Sequence, residues 1–253
     1  MLANQRREKI LELITEDGTA RVTELSKIFK VSEVTIRQDL DKLEQDGLIS
    51  REYGGAYLKS LSHQVQSFSF QHRENMDKKA RIGQKAAEYI HDGDTIIIDS
   101  GSTTTEIAKN ILDRKNLTIV TNAINIPFII GGQPGITVLL TSGEFKAPTL
   151  SLTGQKAAEF FENVNVDKLF LATAGVTLRA GLTYPSLSDL PVKKAMIEAA
   201  STVYLVADST KLGKQALASL GALSLIHYII TNDDIKPEYR TEFSKHGIEF
   251  IIA

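Results

Sequence analysis

Seven short aliphatic runs limit what this chain can become: "TIIID" (95–99), "LTIVT" (117–121), "ITVLLT" (136–141), "KLFLAT" (168–173), "TVYLVAD" (202–208), "YIIT" (228–231) and "IEFII" (248–252). Helical patterns lie between most of them. A strand with one wet face alternates apolar and polar residues, whereas unbroken Val/Ile/Leu runs need cover on both faces. Residues 75 to 253 are therefore expected to form an α/β domain with a mostly parallel sheet packed between helices.

The first 57 residues follow another pattern. Ile10, Leu11, Leu13 and Ile14 have helical spacing, ended by Asp17-Gly18. After a short extended piece at 20–22, Thr23 is placed to cap a second helix carrying Leu25, Ile28 and Phe29. Val31 turns the chain and Ser32 caps a third helix. There Ile36, Leu40 and Leu43 make one buried stripe, stopped by Asp46-Gly47. "LISREYGGAY" (48–57) alternates around Gly-Gly, as two short strands about a tight turn do. The connector, 58–74, has no Gly or Pro and is not a flexible linker by composition.

Two short helices joined by a tight turn form a helix-turn-helix pattern. With Ile36 inward, Val34, Gln38 and Asp41 point away from the core, flanked by Arg37, Thr35 and Lys42. In that motif the second helix enters the major groove, where Gln can bind adenine and an aliphatic can touch a thymine methyl. The hairpin with Arg51, Tyr53, Gly54 and Gly55 then reads as a wing against phosphate or the minor groove. A merely solvated helix face gives the same pattern. Residues 1 to 60 hold ten Lys/Arg against eleven Asp/Glu, a weak balance for a DNA-binding unit. On these residues alone both readings stand.

Composition narrows the classes. Net charge is −2, so any nucleic-acid surface is local. With no Cys there are no disulfides or thiolate sites, which fits a cytoplasmic protein. There is no apolar run long enough to span a membrane. "MLANQRREKILELI" carries charge through its apolar positions and is not expected to be a signal peptide. The five His have no ligand-like spacing, no Ser sits in G-x-S-x-G, and nothing calls for a cofactor.

"TIIIDSGSTTTEIAKNI" (95–111) is a strand, a hydroxyl-rich loop and a helix. Asp99, Ser100, Gly101, Ser102, Thr103 and Thr104 put backbone N–H groups at a helix N-terminus, a geometry suited to phosphate. It is not a Walker A loop, and a capped helix after a strand reads the same way. Other strand ends are also polar: Thr121-Asn122, Ser142-Gly143, and Asp208 to Lys211. Ligands of parallel sheets bind outside the carboxyl ends of the strands.

Residues 6–56 closely resemble the winged helix-turn-helix of the DeoR/GlpR family of bacterial transcription regulators. In register are Glu24-Leu25-Ser26, Val31-Ser32, Thr35-Ile36-Arg37, Asp39-Leu40, Leu43-Glu44, Gly47, Arg51 and Gly54-Gly55-Ala56. Gln38 stands where the family often has Arg or Lys. From about Lys79 the chain resembles the same family's sensor domain, on Asp99 to Thr104, Thr121-Asn122, Gly143, Asp167, Gly175, Gly181-Leu182, Lys193, Met196 and Asp208-Ser209-Thr210-Lys211. Asp189 stands where the family usually has Glu, and segments 144–152 and 183–190 are less family-like and read as shaping ligand choice. The resemblance implies a sensor fold like ribose-5-phosphate isomerases and coenzyme A transferases, with a phosphorylated sugar or related metabolite as effector. It implies operator DNA as partner, and repression of a sugar-metabolism operon rather than catalysis.

The rival is a sugar-phosphate isomerase with an appended DNA-binding domain, in which Asp99, Asp189 or Asp208 would serve as base. The isomerases' glycine-rich segment followed by a Glu-Lys pair late in the chain is absent here. Because one helix-turn-helix contributes few base contacts, a homodimer or homotetramer is expected, assembled through residues 75–253.

Overall fold

The computed structural model describes residues 3–17, 19–46, 48–52, 54–58 and 75–253. Tyr53, Gly47 and the connector from residue 59 to 74 lie outside the described residues. The chain divides into two compact units, Met1–Glu74 and Asn75–Ala253.

The first unit runs α1 (Ala3–Asp17), β1 (Thr19–Arg21), α2 (Val22–Phe29), α3 (Glu33–Gln45), β2 (Ile49–Glu52) and β3 (Gly55–Leu58). The strands form one antiparallel sheet in the order β1-β3-β2. Ile10, Ile14, Leu25, Ile36, Leu40, Leu43 and Ile49 close a single core, so the helical stripes expected from sequence do meet. Helix α2 starts one residue before Thr23: Arg21 is the cap, without a side-chain hydrogen bond, because β1 delivers the chain directly into the first turn. Between α2 and α3, Lys30 takes a left-handed conformation (φ 52°). The Ser26 hydroxyl donates to the Val31 carbonyl at 2.6 Å and closes the turn.

The second unit contains β4 (Thr95–Ile98), β5 (Leu117–Thr121), β6 (Ile136–Leu140), β9 (Val166–Leu171), β12 (Ala200–Val206), β14 (Tyr228–Thr231) and β15 (Glu249–Ile252). These are the seven aliphatic runs, all parallel in one sheet ordered β15-β14-β12-β9-β4-β5-β6. Alternate residues feed two cores. Ile97, Leu169, Leu171, Val203, Leu205 and Ile229 pack on one face with α7 (Gln155–Glu159), α8 (Leu190–Glu198) and α9 (Pro237–Ser244). Ile96, Ile98, Phe170, Tyr204, Val206 and Ile230 pack on the other with α4 (Met76–Ala87), α5 (Ser102–Lys109) and α6 (Asn125–Ile130). On that second face Phe170, Tyr204 and Tyr228 stack across three strands, with centroids 5.2 and 4.8 Å apart.

Sequence periodicity missed two smaller sheets. One is the hairpin β7 (Glu144–Lys146) and β8 (Ser151–Thr153); the other holds β10 (Gly175–Thr177), β11 (Gly181–Tyr184) and β13 (Ala218–Gly221). No described helix is long and apolar enough to cross a membrane.

Asp39, on α3, turns inward. Its carboxylate takes Arg6 Nε of α1 at 2.6 Å, and both side chains are buried. Removing one partner of a buried pair strands the other charge. Asp39→Ala is expected to cost about 3–5 kcal/mol of the first unit's stability. Denaturant unfolding read by circular dichroism would measure it, and a loss below about 1 kcal/mol would refute the pairing.

Candidate functional site

The sheet has a topological switch. From β4 the chain steps to β5 and β6 on one side, then crosses to β9, β12, β14 and β15 on the other. Such a reversal leaves a crevice at the carboxyl ends of the two strands where it occurs, here β4 and β9. Asp99 follows β4 and Ala172 follows β9, and the Ala172 N–H donates to Asp99 Oδ2 at 3.0 Å across that gap.

Asp99 is fully buried and organises its surroundings. Oδ1 accepts from Ser100 N–H at 2.7 Å and from the Lys193 ammonium, which reaches it from α8. Burial pushes the Asp99 carboxyl up from its ordinary range; Lys193 and the amides of Ala172 and Ser100 pull the other way. Tyr184 sits under Lys193, with the ammonium 5.5 Å from the ring centroid, and its hydroxyl donates to the Ala172 carbonyl at 2.8 Å. Burial, with Asp99 and Asp189 nearby, drives the Tyr184 phenol well above its usual range and keeps it a neutral donor. Asn122, after β5, accepts from Ser100 N–H at 3.1 Å and donates to the Leu152 carbonyl at 3.0 Å.

The loop then enters α5. The Thr104 and Thr105 hydroxyls both donate back to the Gly101 carbonyl, at 2.9 and 2.7 Å. Thr104, a sequence candidate for an anion contact, has thus spent its one proton inside the helix turn. The N–H groups of Ser102, Thr103 and Thr104 have no acceptor among the described residues. Gly101 is required by proximity, since a Cβ there would lie 2.8 Å from Cβ of Ala172.

The other candidates occupy distinct places. The Thr121 hydroxyl donates to Ile98 C=O at 2.6 Å and accepts from Ala123 N–H, so it braces β4 against β5. Gly143 lies in the turn between β6 and β7. Asp189 is buried, and both its oxygens take the Lys146 ammonium, at 2.7 and 2.6 Å. Asp208 caps the turn at 209–211 by accepting from Thr210 N–H at 3.0 Å, while its buried Oδ2 has no partner among the described residues. Lys211 is half-buried and forms no ion pair with a described residue. Lys146, Tyr184 and Ala172 escaped the sequence reading, because their roles depend on partners far away in the chain.

In the first unit, α3 presents Val34 (61% exposed), Gln38 and Arg37 outward. Ser32 and Thr35 hydroxyls are 2.9 Å apart in the helix cap, where Ser32 accepts Thr35 N–H. Arg37 pairs with Glu33 at 2.8 Å, an exposed contact that is cheaply exchanged for another anion. Arg51 of the wing is paired with Asp41 of α3, and its N–H donates to Glu44 at 2.7 Å, so it ties β2 to the helix. At the wing tip Gly54 has φ +90°, and a Cβ on Gly55 would meet the Ala20 carbonyl at 2.6 Å.

The pair at the crevice gives a sharp test. Asp99→Asn and Lys193→Met should each lower stability by about 3–5 kcal/mol, as removal of one member of a buried pair does. The double variant should recover much of that loss. Additive losses in a double-mutant cycle would refute the pair.

Two sequence families match. Residues 74–233 match the DeoR C terminal sensor domain, and residues 6–61 match the DeoR-like helix-turn-helix domain. The HTH-type transcriptional regulator IolR of Bacillus subtilis is 32% identical over 98% of both chains. A putative aga operon transcriptional repressor of Escherichia coli O157:H7 is 30% identical over 99% of this chain and 94% of its own. Among solved structures, ribose 5-phosphate isomerase A of Methanocaldococcus jannaschii aligns over 55% of each chain at 15% identity and a TM-score of 0.40. With both halves matched in order over nearly its full length, the chain belongs to the DeoR family of helix-turn-helix transcriptional regulators.

Proposed function

We propose that this regulator is a cytoplasmic repressor that reads operator DNA with α3 and the β2–β3 wing. A phosphorylated sugar bound in the crevice between β4 and β9 governs it. The observation that carries the effector reading is the run of three unpaired N–H groups at Ser102, Thr103 and Thr104. They open a helix whose N-terminal dipole favours an anion, at the switch point of a parallel sheet. Lys211, with no acid partner among the described residues, supplies a further positive charge, and Oδ2 of Asp208, likewise without a described partner, is an acceptor for a sugar hydroxyl. Repression of a sugar operon is supported by the relative named for its operon.

A regulator rather than an isomerase is favoured by the names of the relatives. Of the three candidate bases, Asp99 accepts hydrogen bonds at both oxygens and Asp189 is held at both by Lys146, while Asp208 keeps one oxygen without a partner among the described residues and is read as a hydroxyl acceptor.

Two variants test the halves separately. Thr103→Glu puts a carboxylate at the anion position. Thr103 is buried, so circular dichroism and operator binding establish first that the variant folds; the folded variant should lose the melting-temperature rise that sugar phosphates give the wild type. A ligand at about 100 times its Kd adds roughly 2.7 kcal/mol, so the loss is easily read. An unchanged response would remove the effector from this loop. Gln38→Ala should cost about 1–3 kcal/mol on the operator and relax preference at one base pair. An equal loss on random DNA would reduce Gln38 to a backbone contact.

A further inference from the structure

Strand β6 ends the seven-stranded sheet and pairs only with β5. Leu117 N–H donates to Gly135 C=O at 3.0 Å and Thr141 N–H to Thr121 C=O at 2.9 Å. Successive peptide groups of a strand point to opposite sides, so the odd-numbered residues of β6 face β5. The N–H and C=O groups of Val138 and Leu140 then point outward, and no described residue pairs with them.

Natural sheets blunt a free edge with charge, proline or a bulge, because unpaired peptide groups recruit another strand. This edge has none of those guards. From Asn116 to Gly143 there is no Asp, Glu, Lys, Arg or His, in a chain of which 24% is charged. That run builds β5, α6 and β6. Leu139 and Leu140 remain 41% and 40% exposed, and α6, which packs against β6, leaves Phe128 81% exposed.

We infer that this edge is the interface with a second copy of the chain, the two β6 strands pairing antiparallel about a two-fold axis at Leu139. The choice of a second copy rests partly on the operator-reading proposal, since two half-sites need two readers related by a two-fold. It rests also on the edge itself. A strand without charge cannot repel its own copy, and antiparallel pairing of identical strands is self-complementary. With Leu139 opposite Leu139, Val138 of each copy faces Leu140 of the other, and their outward peptide groups make about four hydrogen bonds. Leu139 occupies the non-hydrogen-bonded position, where Cα atoms lie about 4.5 Å apart.

That spacing falls within the range for a disulfide, about 4.4–6.8 Å, and the chain has no cysteine of its own. Full-length Leu139→Cys is therefore expected to form a covalent dimer under mild oxidation, at least about tenfold faster than Lys245→Cys, a control at the exposed residue that caps the C-terminus of α9. Leu139→Lys sets two ammonium groups against each other and should raise the dimer's dissociation constant at least about tenfold in sedimentation. A wild type that sediments as a monomer at micromolar concentration would sink both this interface and the two-copy reading. A dimer that neither cross-links at Leu139 above the control nor weakens in Leu139→Lys would overturn the edge pairing alone. Should Leu139→Lys lose its circular-dichroism signature, the cross-link decides.

Discussion

The sensor unit is organised around one buried ion pair. Lys193 reaches from α8 to Asp99 at the end of β4, and neither side chain is open to water. Two charges taken out of water must be compensated by each other and by further hydrogen bonds. Here the compensation also joins parts of the chain. Ala172 N–H brings β9 to the carboxylate, Ser100 N–H fixes the loop, and Asn122 ties that loop to β5 and β8. The direction of the loop into α5 therefore depends on the pair. Tyr184 closes it from beneath, with its ring under the ammonium and its hydroxyl on Ala172.

The first unit solves a related problem with less core. Four of its basic side chains are paired with acids: Arg6 with Asp39, Arg37 with Glu33, Lys42 with Asp46 and Arg51 with Asp41. The pairs differ in burial, and burial decides what each is for. Arg6–Asp39 is sealed and fixes α1 against α3. Arg37–Glu33 lies in water, where screening leaves it worth little, so Arg37 can change partners at low cost.

What was legible in the sequence follows from the range of the interactions. The seven parallel strands were readable because each is locally apolar: the central ones are covered on both faces, while β6 at the edge leaves Leu139 and Leu140 exposed. Ser32 as a cap and the Ile36, Leu40, Leu43 stripe were readable because both act within two helical turns. The strands β10, β11 and β13 were not, since short, Gly- and Thr-containing segments take their conformation from partners elsewhere. Asp99 and Lys193 could each be singled out, but 94 residues separate them and only the sheet order brings them together. The hydroxyl of Thr104 misled for the opposite reason, because its partner, the Gly101 carbonyl, is local and already takes its proton.

The same distinction bears on how such a site is tuned. The free donors at the start of α5 are main-chain N–H groups, which no side-chain replacement short of proline removes. Donors of this kind persist while the side chains around them change. Segments 144–152 and 183–190 are joined directly through Lys146 and the buried Asp189. With the shorter acid at 189, Lys146 meets both carboxylate oxygens within 2.7 Å. A glutamate there would carry its carboxylate one methylene farther into a packed space, and Lys146 would have to move with it. The contact of Lys146 with both oxygens is therefore matched to an aspartate at 189.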